Sequence, residues 1–379
     1  MIKAKIWAAI LLAAGVGAAP AWAQNAPGSA SQHIYILDYQ TGAVIYDKNG
    51  EERIPPASMS KLMTIYMLFS ALKHGDVKLT DTMHVSKKAW ATQGSKMFVE
   101  INSDIKIEDL LRGIVIQSGN DACVVVAEAL AGSEETFADR MNQKAREIGL
   151  ADSHFTNATG LPDPNHYMTA RDLAILANRL IQEFPEYYHY FSEKEFTWHR
   201  IKQGNRNPLL YRNDGTDGLK TGHTEEAGFG LTASALRDGR RIIMVIHGLG
   251  NMQARADEAG TVLDWAFRES QNVKLVKAGA PLASVPVWLG AQAEVPVAAT
   301  QDMVVTLLKN APHGANATIV MDRPVTAPVA KGTVVGQLMI MLPNTPPRSV
   351  PVMAAQDVSE VGVLGHIRTN FHHYILGEQ

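Results

Sequence analysis

The chain is poor in cysteine, in charge and in long apolar runs, and each shortage excludes something. A single cysteine, Cys123, stands in 379 residues, which rules out an intrachain disulfide scaffold and any multi-cysteine metal or iron–sulfur site. Charged residues make up 19%, below the roughly 25% of an average soluble protein. Lys and Arg number 35 against 38 Asp and Glu, a formal charge of -3, so net charge makes no case for a nucleic-acid partner. No His-Glu-x-x-His occurs, so metal hydrolysis is disfavoured, and no Gly-x-Ser-x-Gly elbow supports the α/β-hydrolase architecture. Internal repeats and long low-complexity tracts are missing too.

What is present is a folding composition. Hydrophobic residues reach 46%, enough to offset chain entropy by burial, and about 150 residues per domain gives two to three domains. At the N-terminus, Lys3 and Lys5 precede the apolar run Ile6 to Ala19, Pro20 and then Ala21-Trp22-Ala23. The run is short of the ~20 residues of a membrane span, and the small-x-small ending reads as a signal peptide over residues 1–23, with an uncleaved anchor as the alternative. Cleavage there removes two lysines and no acid, taking the formal charge from -3 to -5. The expectation is an exported, periplasmic protein whose lone thiol stays unpaired.

Residues 31–268 mix strands and helices. His33 to Asp38 and Ala43 to Tyr46 flank Tyr39-Gln40-Thr41-Gly42 as a hairpin. Helical patterns cover Lys61 to Leu72, Ile107 to Leu130, Glu134 to Ile148, Thr169 to Gln182 and Ala256 to Phe267, with a strand over Arg241 to Gly248. Thr169 with Asp172 three residues on reads as a helix N-terminus close to a capping box. This mixture predicts an α+β domain. Over residues 272–356, six short Val-rich runs separated by Gly, Pro and Asn predict a small all-β sandwich. In residues 358–379, Leu364, Ile367, Phe371, Tyr374 and Ile375 fall at helical spacing; an interfacial membrane helix is one reading, and a frayed tail or a helix docked on the β domain the other.

Three short motifs carry chemistry. In Ser58-Met59-Ser60-Lys61 the hydroxyl and the amine sit three apart, one helical face, so they meet. A serine needs a base to attack, and lysine serves as one when burial or a neighbouring cation lowers its pKa; a helix cap followed by a solvated lysine is the plainer alternative. Ser118-Gly119-Asn120 follows an apolar run as a turn whose hydroxyl and amide can hold a peptide and pass a proton; an ordinary turn is the alternative. Cys123, before Val124-Val125-Val126, reads as a small core residue and not a nucleophile. Lys220-Thr221-Gly222-His223 reads as a strand edge suited to capturing a carboxylate.

The order of these three motifs resembles that of the penicillin-recognising serine enzymes, and specifically the D-alanyl-D-alanine carboxypeptidases among the low-molecular-mass penicillin-binding proteins. Pro56 to Thr64, Ser118 to Ala122, Asn157-Ala158-Thr159-Gly160-Leu161, His166-Tyr167, Thr169 to Asp172 and Asp217 to Thr224 all match signatures of that family, and the likeness extends over nearly the whole mature chain. The resemblance implies a transpeptidase-like catalytic domain, no cofactor, and removal of the terminal D-alanine from peptidoglycan stem peptides through an acyl-serine. It makes Ser58 the nucleophile, Lys61 its base, kept neutral partly by Lys220, and Ser118 a proton relay. Asn120 would hold the substrate backbone, and Lys220, Thr221 and Gly222 its carboxylate end. The N–H groups of Ser58 and His223 would form an oxyanion hole. Arg206 and Arg255 match family arginines near that site, plain surface arginines being the alternative. β-Lactam antibiotics would be covalent inhibitors, and the tail would reach the outer face of the inner membrane. The turn Arg212 to Thr216 departs from some relatives.

A D,D-endopeptidase uses the same constellation on crosslinked peptides and stays open. A β-lactamase is disfavoured because no Glu lies between Asn157 and Arg171. A non-catalytic wall-binding module conflicts with the intact Ser58, Lys61, Ser118 and Lys220.

Overall fold

The computed structural model describes residues 2–4, 27–309, 316–321, 323–342 and 347–362. Two compact units divide between Ser270 and Gln271.

The first unit is built on nine strands and seven helices. In chain order the strands are β1 (His33–Asp38), β2 (Val44–Lys48), β3 (Thr82–His84), β4 (Asp104–Lys106), β5 (Glu195–Trp198), β6 (Ile201–Gly204), β7 (Thr216–Thr224), β8 (Gly228–Arg237) and β9 (Arg240–Leu249). The helices are α1 (Lys61–His74), α2 (Lys87–Ala91), α3 (Ile107–Val115), α4 (Asn120–Ala131), α5 (Glu134–Glu147), α6 (Ala170–Glu183) and α7 (Met252–Glu269). One antiparallel five-stranded sheet runs in the order β2-β1-β9-β8-β7. Its central strand β9 buries Ile242 to Ile246 without a break, as a strand covered on both faces must. Helix α6 packs on β1 and β9, and α7 on β8 and β9. Strand β7 is an edge, so one row of its backbone groups is left unpaired for other use.

Helix α1 is apolar all round and therefore central. Leu62, Met63, Ile65, Leu68 and Phe69 are fully buried, each contributing about 1.5–3 kcal/mol by removal from water. The helix packs against α3, α4, α5 and α6 and stops at Gly75, whose φ of 79° closes it. The expected hairpin and caps form: β1 pairs with β2, and the Thr169 hydroxyl accepts the Asp172 N–H at 3.0 Å. The single helical pattern over Ile107 to Leu130 divides into α3 and α4. Ser118 takes φ 59° between them, and no helix continues through a left-handed residue.

In the second unit a seven-stranded sheet takes the order 2–4, 316–321, 334–341, 348–354, 294–299, 281–288, 325–326. Its pairs are antiparallel except 281–288 with 325–326. A two-stranded sheet joins Ser270–Val276 to Met303–Leu308, and side chains of both sheets, Val276, Val305, Val297 and Val352 among them, make one core. Residues Ile2–Ala4, which the sequence places in a leader, form the outer strand of the larger sheet, whereas Ile6 to Ala19 lie outside the described residues. The tail from residue 363 lies outside them too. Its expected start is corrected: Val358 and Glu360 form strand-like bridges to Val329 and Gly290, with Val358 buried in the β core, so no helix begins at Val358.

Candidate active site

A short 3₁₀ turn, Ala57–Ser60, leads directly into α1 and carries Ser58 at its second position. Entry is tight: Ala57 has φ 48°, and the Met59 N–H donates to the Pro56 carbonyl at 3.1 Å. Two glycines from elsewhere in the chain let the surrounding backbone close on this turn. A Cβ on Gly222 would lie 2.8 Å from the Pro56 oxygen, and one on Gly160, already at φ 76°, 2.0 Å from the Ala57 oxygen. Neither position accepts a side chain without moving the serine.

Lys61, one turn on, is fully buried, and its Nζ lies 2.8 Å from Ser58 Oγ and 2.5 Å from the Thr159 carbonyl oxygen. That carbonyl is held in a turn by Asn157, whose Oδ1 accepts the N–H groups of Thr159 and Gly160. Burial, with a smaller contribution from the positive charge of Arg206 and against the negative charge of Asp121, lowers the Lys61 pKa from 10.5 to about 8. From the sequence, part of this effect is assigned to Lys220; desolvation is the leading cause, and Arg206 is the cation that adds to it.

Ser118 sits in the left-handed turn at the start of α4, and Lys220, on β7, donates from Nζ to Ser118 Oγ at 3.0 Å. Lys220 is buried as well, which pushes its pKa well below the usual lysine value, with Lys61, Arg206 and Arg255 adding to the effect. The Asn120 amide donates to the Gln93 carbonyl at 2.7 Å, tying α4 to the loop before Met97. Asp121 holds the rest of that loop: its carboxylate accepts the N–H groups of Met97, Phe98 and Val99 at 2.8, 2.8 and 3.1 Å. Cys123 is fully buried, and desolvation raises its pKa to about 12, so it is an inert core thiol.

Arg255, expected as a surface residue or a ligand of the carboxylate end, is 4% exposed. Its guanidinium stands over the Phe229 ring, with Nη2 3.5 Å from the Arg206 carbonyl and Nε without a partner. Burial and Arg206 lower its pKa to about 10. Arg206 reaches the surface, with Nη1 donating to Ser95 Oγ at 2.7 Å. The exposed His223 ring stacks on Phe229 at 3.8 Å between centroids, and Thr221 is buried beside Lys220 on β7. The structure thus assembles Ser58, Lys61, Ser118, Lys220, Arg206 and Arg255 around one cationic centre, with the buried Asp121 carboxylate near Lys61. Sequence reasoning did not find the Thr159 carbonyl, the Asp121 clasp or Phe229. Of these, Thr159 and Asp121 lay inside quoted signatures without a role.

Residues 6–251 match the family model for D-alanyl-D-alanine carboxypeptidase, peptidase S11. The chain belongs to this peptidase S11 family. Residues 271–360 match the C-terminal domain of penicillin-binding protein 5. D-alanyl-D-alanine carboxypeptidase DacC of Escherichia coli K12 is 37% identical over 351 residues, covering 90% of this chain and 88% of the relative. DacA of Haemophilus influenzae is 35% identical over 347 residues, again 90% and 88%. The crystal structure of penicillin-binding protein 5 from H. influenzae superposes with a TM-score of 0.77 at 36% identity, covering 89% of this chain and 99% of that one. Penicillin-binding protein D2 of Listeria monocytogenes, in its ampicillin-bound form, aligns at 25% identity and a TM-score of 0.58, over 63% of this chain and 98% of that one. This S11 enzyme is accordingly a serine-type D-alanyl-D-alanine carboxypeptidase with a mixed α/β catalytic domain and a C-terminal β-sheet domain.

Proposed function

We propose that this enzyme removes the terminal D-alanine from peptidoglycan stem pentapeptides by acylating Ser58. The 2.8 Å approach of Lys61 Nζ to Ser58 Oγ, with the amine buried and its pKa near 8, carries the reading. In its neutral form Lys61 takes the Ser58 proton as Oγ bonds to the penultimate carbonyl carbon. Charge developing on the carbonyl oxygen meets the N–H groups of Ser58 and His223. Ser118, held by Lys220, relays the proton from Lys61 to the leaving D-alanine nitrogen as the peptide bond breaks, so Ser118 keeps a proton and Lys61 is neutral again. Water, deprotonated by the same lysine, then attacks the ester; the peptide acid leaves and Ser58 regains its proton.

The carboxylate end of the substrate is drawn to Lys220, Thr221, Gly222, Arg206 and Arg255, since Arg255 is a buried cation whose Nε lacks a partner. Asn120 holds the 93–99 loop that walls the site, and through it the peptide backbone. β-Lactams act on the same serine; the relative that binds ampicillin supports this. Export by residues 1–23 to the periplasm, with the tail on the membrane surface, completes the reading.

Intact-mass measurement after incubation with benzylpenicillin tests the nucleophile. The wild type should gain one penicilloyl adduct and Ser58→Ala none; an adduct that persists in the variant overturns the assignment.

A further inference from the structure

Lys220 reaches Ser118 from β7, a strand paired on one side only. Its placement therefore depends on the register with β8, and that register slips once. Thr216 stands opposite Ala235 and Gly218 opposite Ser234, which leaves Asp217 as an extra residue on β7. Side chains alternate faces along a strand, so one extra residue changes the face of every residue after it. With the slip, Lys220 stands opposite Thr232, whose hydroxyl donates to Met59 Sδ at 3.6 Å, next in the chain to Ser58. Without it, Leu219 would stand there, and Lys220 would lie opposite Leu231 on the other face of the sheet.

The extra residue is gripped from two directions. Arg241, on β9, reaches across β8 and donates from Nη1 and Nη2 to the two Asp217 carboxylate oxygens, both at 2.7 Å. On the way, Nη1 also donates to Ser234 Oγ at 2.6 Å. Tyr188 donates its hydroxyl to Asp217 Oδ1 at 2.9 Å, and the guanidinium stands over its ring, 5.2 Å from the centroid. Arg241 and Tyr188 are largely buried, and a bidentate pair between two planar groups fixes direction as well as charge. One residue on, the Gly218 carbonyl accepts the side-chain amide of Asn207 at 2.8 Å, and Asn207 is buried next in the chain to Arg206. The start of β7 thus sets Lys220 along the strand and ties it to the segment that carries Arg206. The reaction as described gives Asp217, Arg241 and Tyr188 no task.

We propose that Asp217 and Arg241 are positioning residues for Lys220: their bidentate pair pins the register slip that turns the lysine amine to Ser118 and to the substrate carboxylate. The inference rests on capture of that carboxylate by Lys220 and deepens it. Neither side chain has to touch the substrate. When the pair is broken the slip is free to relax, and the amine leaves the place where the carboxylate arrives.

The test follows adduct formation by intact mass with benzylpenicillin and with its methyl ester, which differ only in the free carboxylate. The wild type should react faster with the acid. In Asp217→Asn and in Arg241→Ala the acid-over-ester ratio of second-order rates should fall about tenfold, the scale of one charge-assisted hydrogen bond lost. The ester rate should stay close to that of the wild type. The double variant should fall no further than either single one, because the two residues act as a unit. Each ratio is read within one protein, so a smaller folded fraction does not move it, and the isosteric Asp217→Asn carries the test if Arg241→Ala does not fold. Acid and ester rates that fall in step, or a wild-type ratio in Asp217→Asn, make the pair a structural one and overturn the inference, while the wild-type adduct keeps the acyl-serine reading. Equal acid and ester rates in the wild type overturn the carboxylate capture and the positioning with it. No adduct from either reagent overturns the acyl-serine reading as well.

Discussion

At the scale of single residues, the site depends on a lysine that must be neutral to work. Its pKa of about 8 leaves roughly a tenth of the amine deprotonated at pH 7 and half at pH 8. The second-order rate of acylation by penicillin should therefore rise close to tenfold per pH unit below about 7 and level off above about 9. A profile flat from pH 6 to 9 would remove Lys61 as the base. Lys61→Arg keeps the charge but not the ability to lose it, so acylation should fall at least 100-fold at every pH. The sign for stability runs with the rate. Between about 8 and 10.5 the unfolded chain binds the proton that the native chain has lost, so this group's contribution to stability grows as pH rises through that window.

At the scale of elements, three pieces of chain far apart in sequence meet because each ends at a sharp local feature: the 3₁₀ turn before α1, the left-handed Ser118 before α4, and the edge strand β7. Those pieces are the three motifs, and they were legible because their side chains do the chemistry. Their supports were not. The Thr159 carbonyl that accepts from Lys61 is a main-chain group, which any residue could offer. The α3–α4 break was blurred by an apolar pattern that continues through the turn. Asp121 is the clearest case, since an acid one residue into a helix reads as a dipole partner, whereas here it closes a loop. Asp121→Asn would set an amide donor against N–H donors, at about 1.5–3 kcal/mol per charged hydrogen bond lost. Thermal unfolding should shift down by about 4–10 °C, with penicillin acylation slowed in step. An unchanged Tm would mean that the 97–99 loop holds itself.

At the scale of the molecule, the chain joins a catalytic unit ending at Ser270 to a β unit beginning at Gln271. Among the described residues no helix is long and apolar enough to cross a membrane; the proposed attachment through the tail is left to residues 363–379, beyond the bridges of Val358 and Glu360. Liposome flotation of the full chain and of a chain ending at Gly362 measures this. The full chain should float with anionic vesicles and the shorter one remain below; equal flotation removes the tail as the attachment. Two signals are usually needed for stable anchoring, so binding should be reversible and weakened by salt.

The Asp121 clasp carries a consequence for the medium in which the enzyme works. The loop walling the site is held by a fully buried carboxylate that accepts backbone N–H groups. Ions in solution screen exposed charge pairs over a Debye length of about 8–10 Å but act little on buried ones. Changing ionic strength therefore alters how strongly the cationic centre attracts an anionic peptide end, and leaves the frame around Ser58 where it was. Such an enzyme keeps its shape in dilute or briny surroundings and varies only its appetite for substrate.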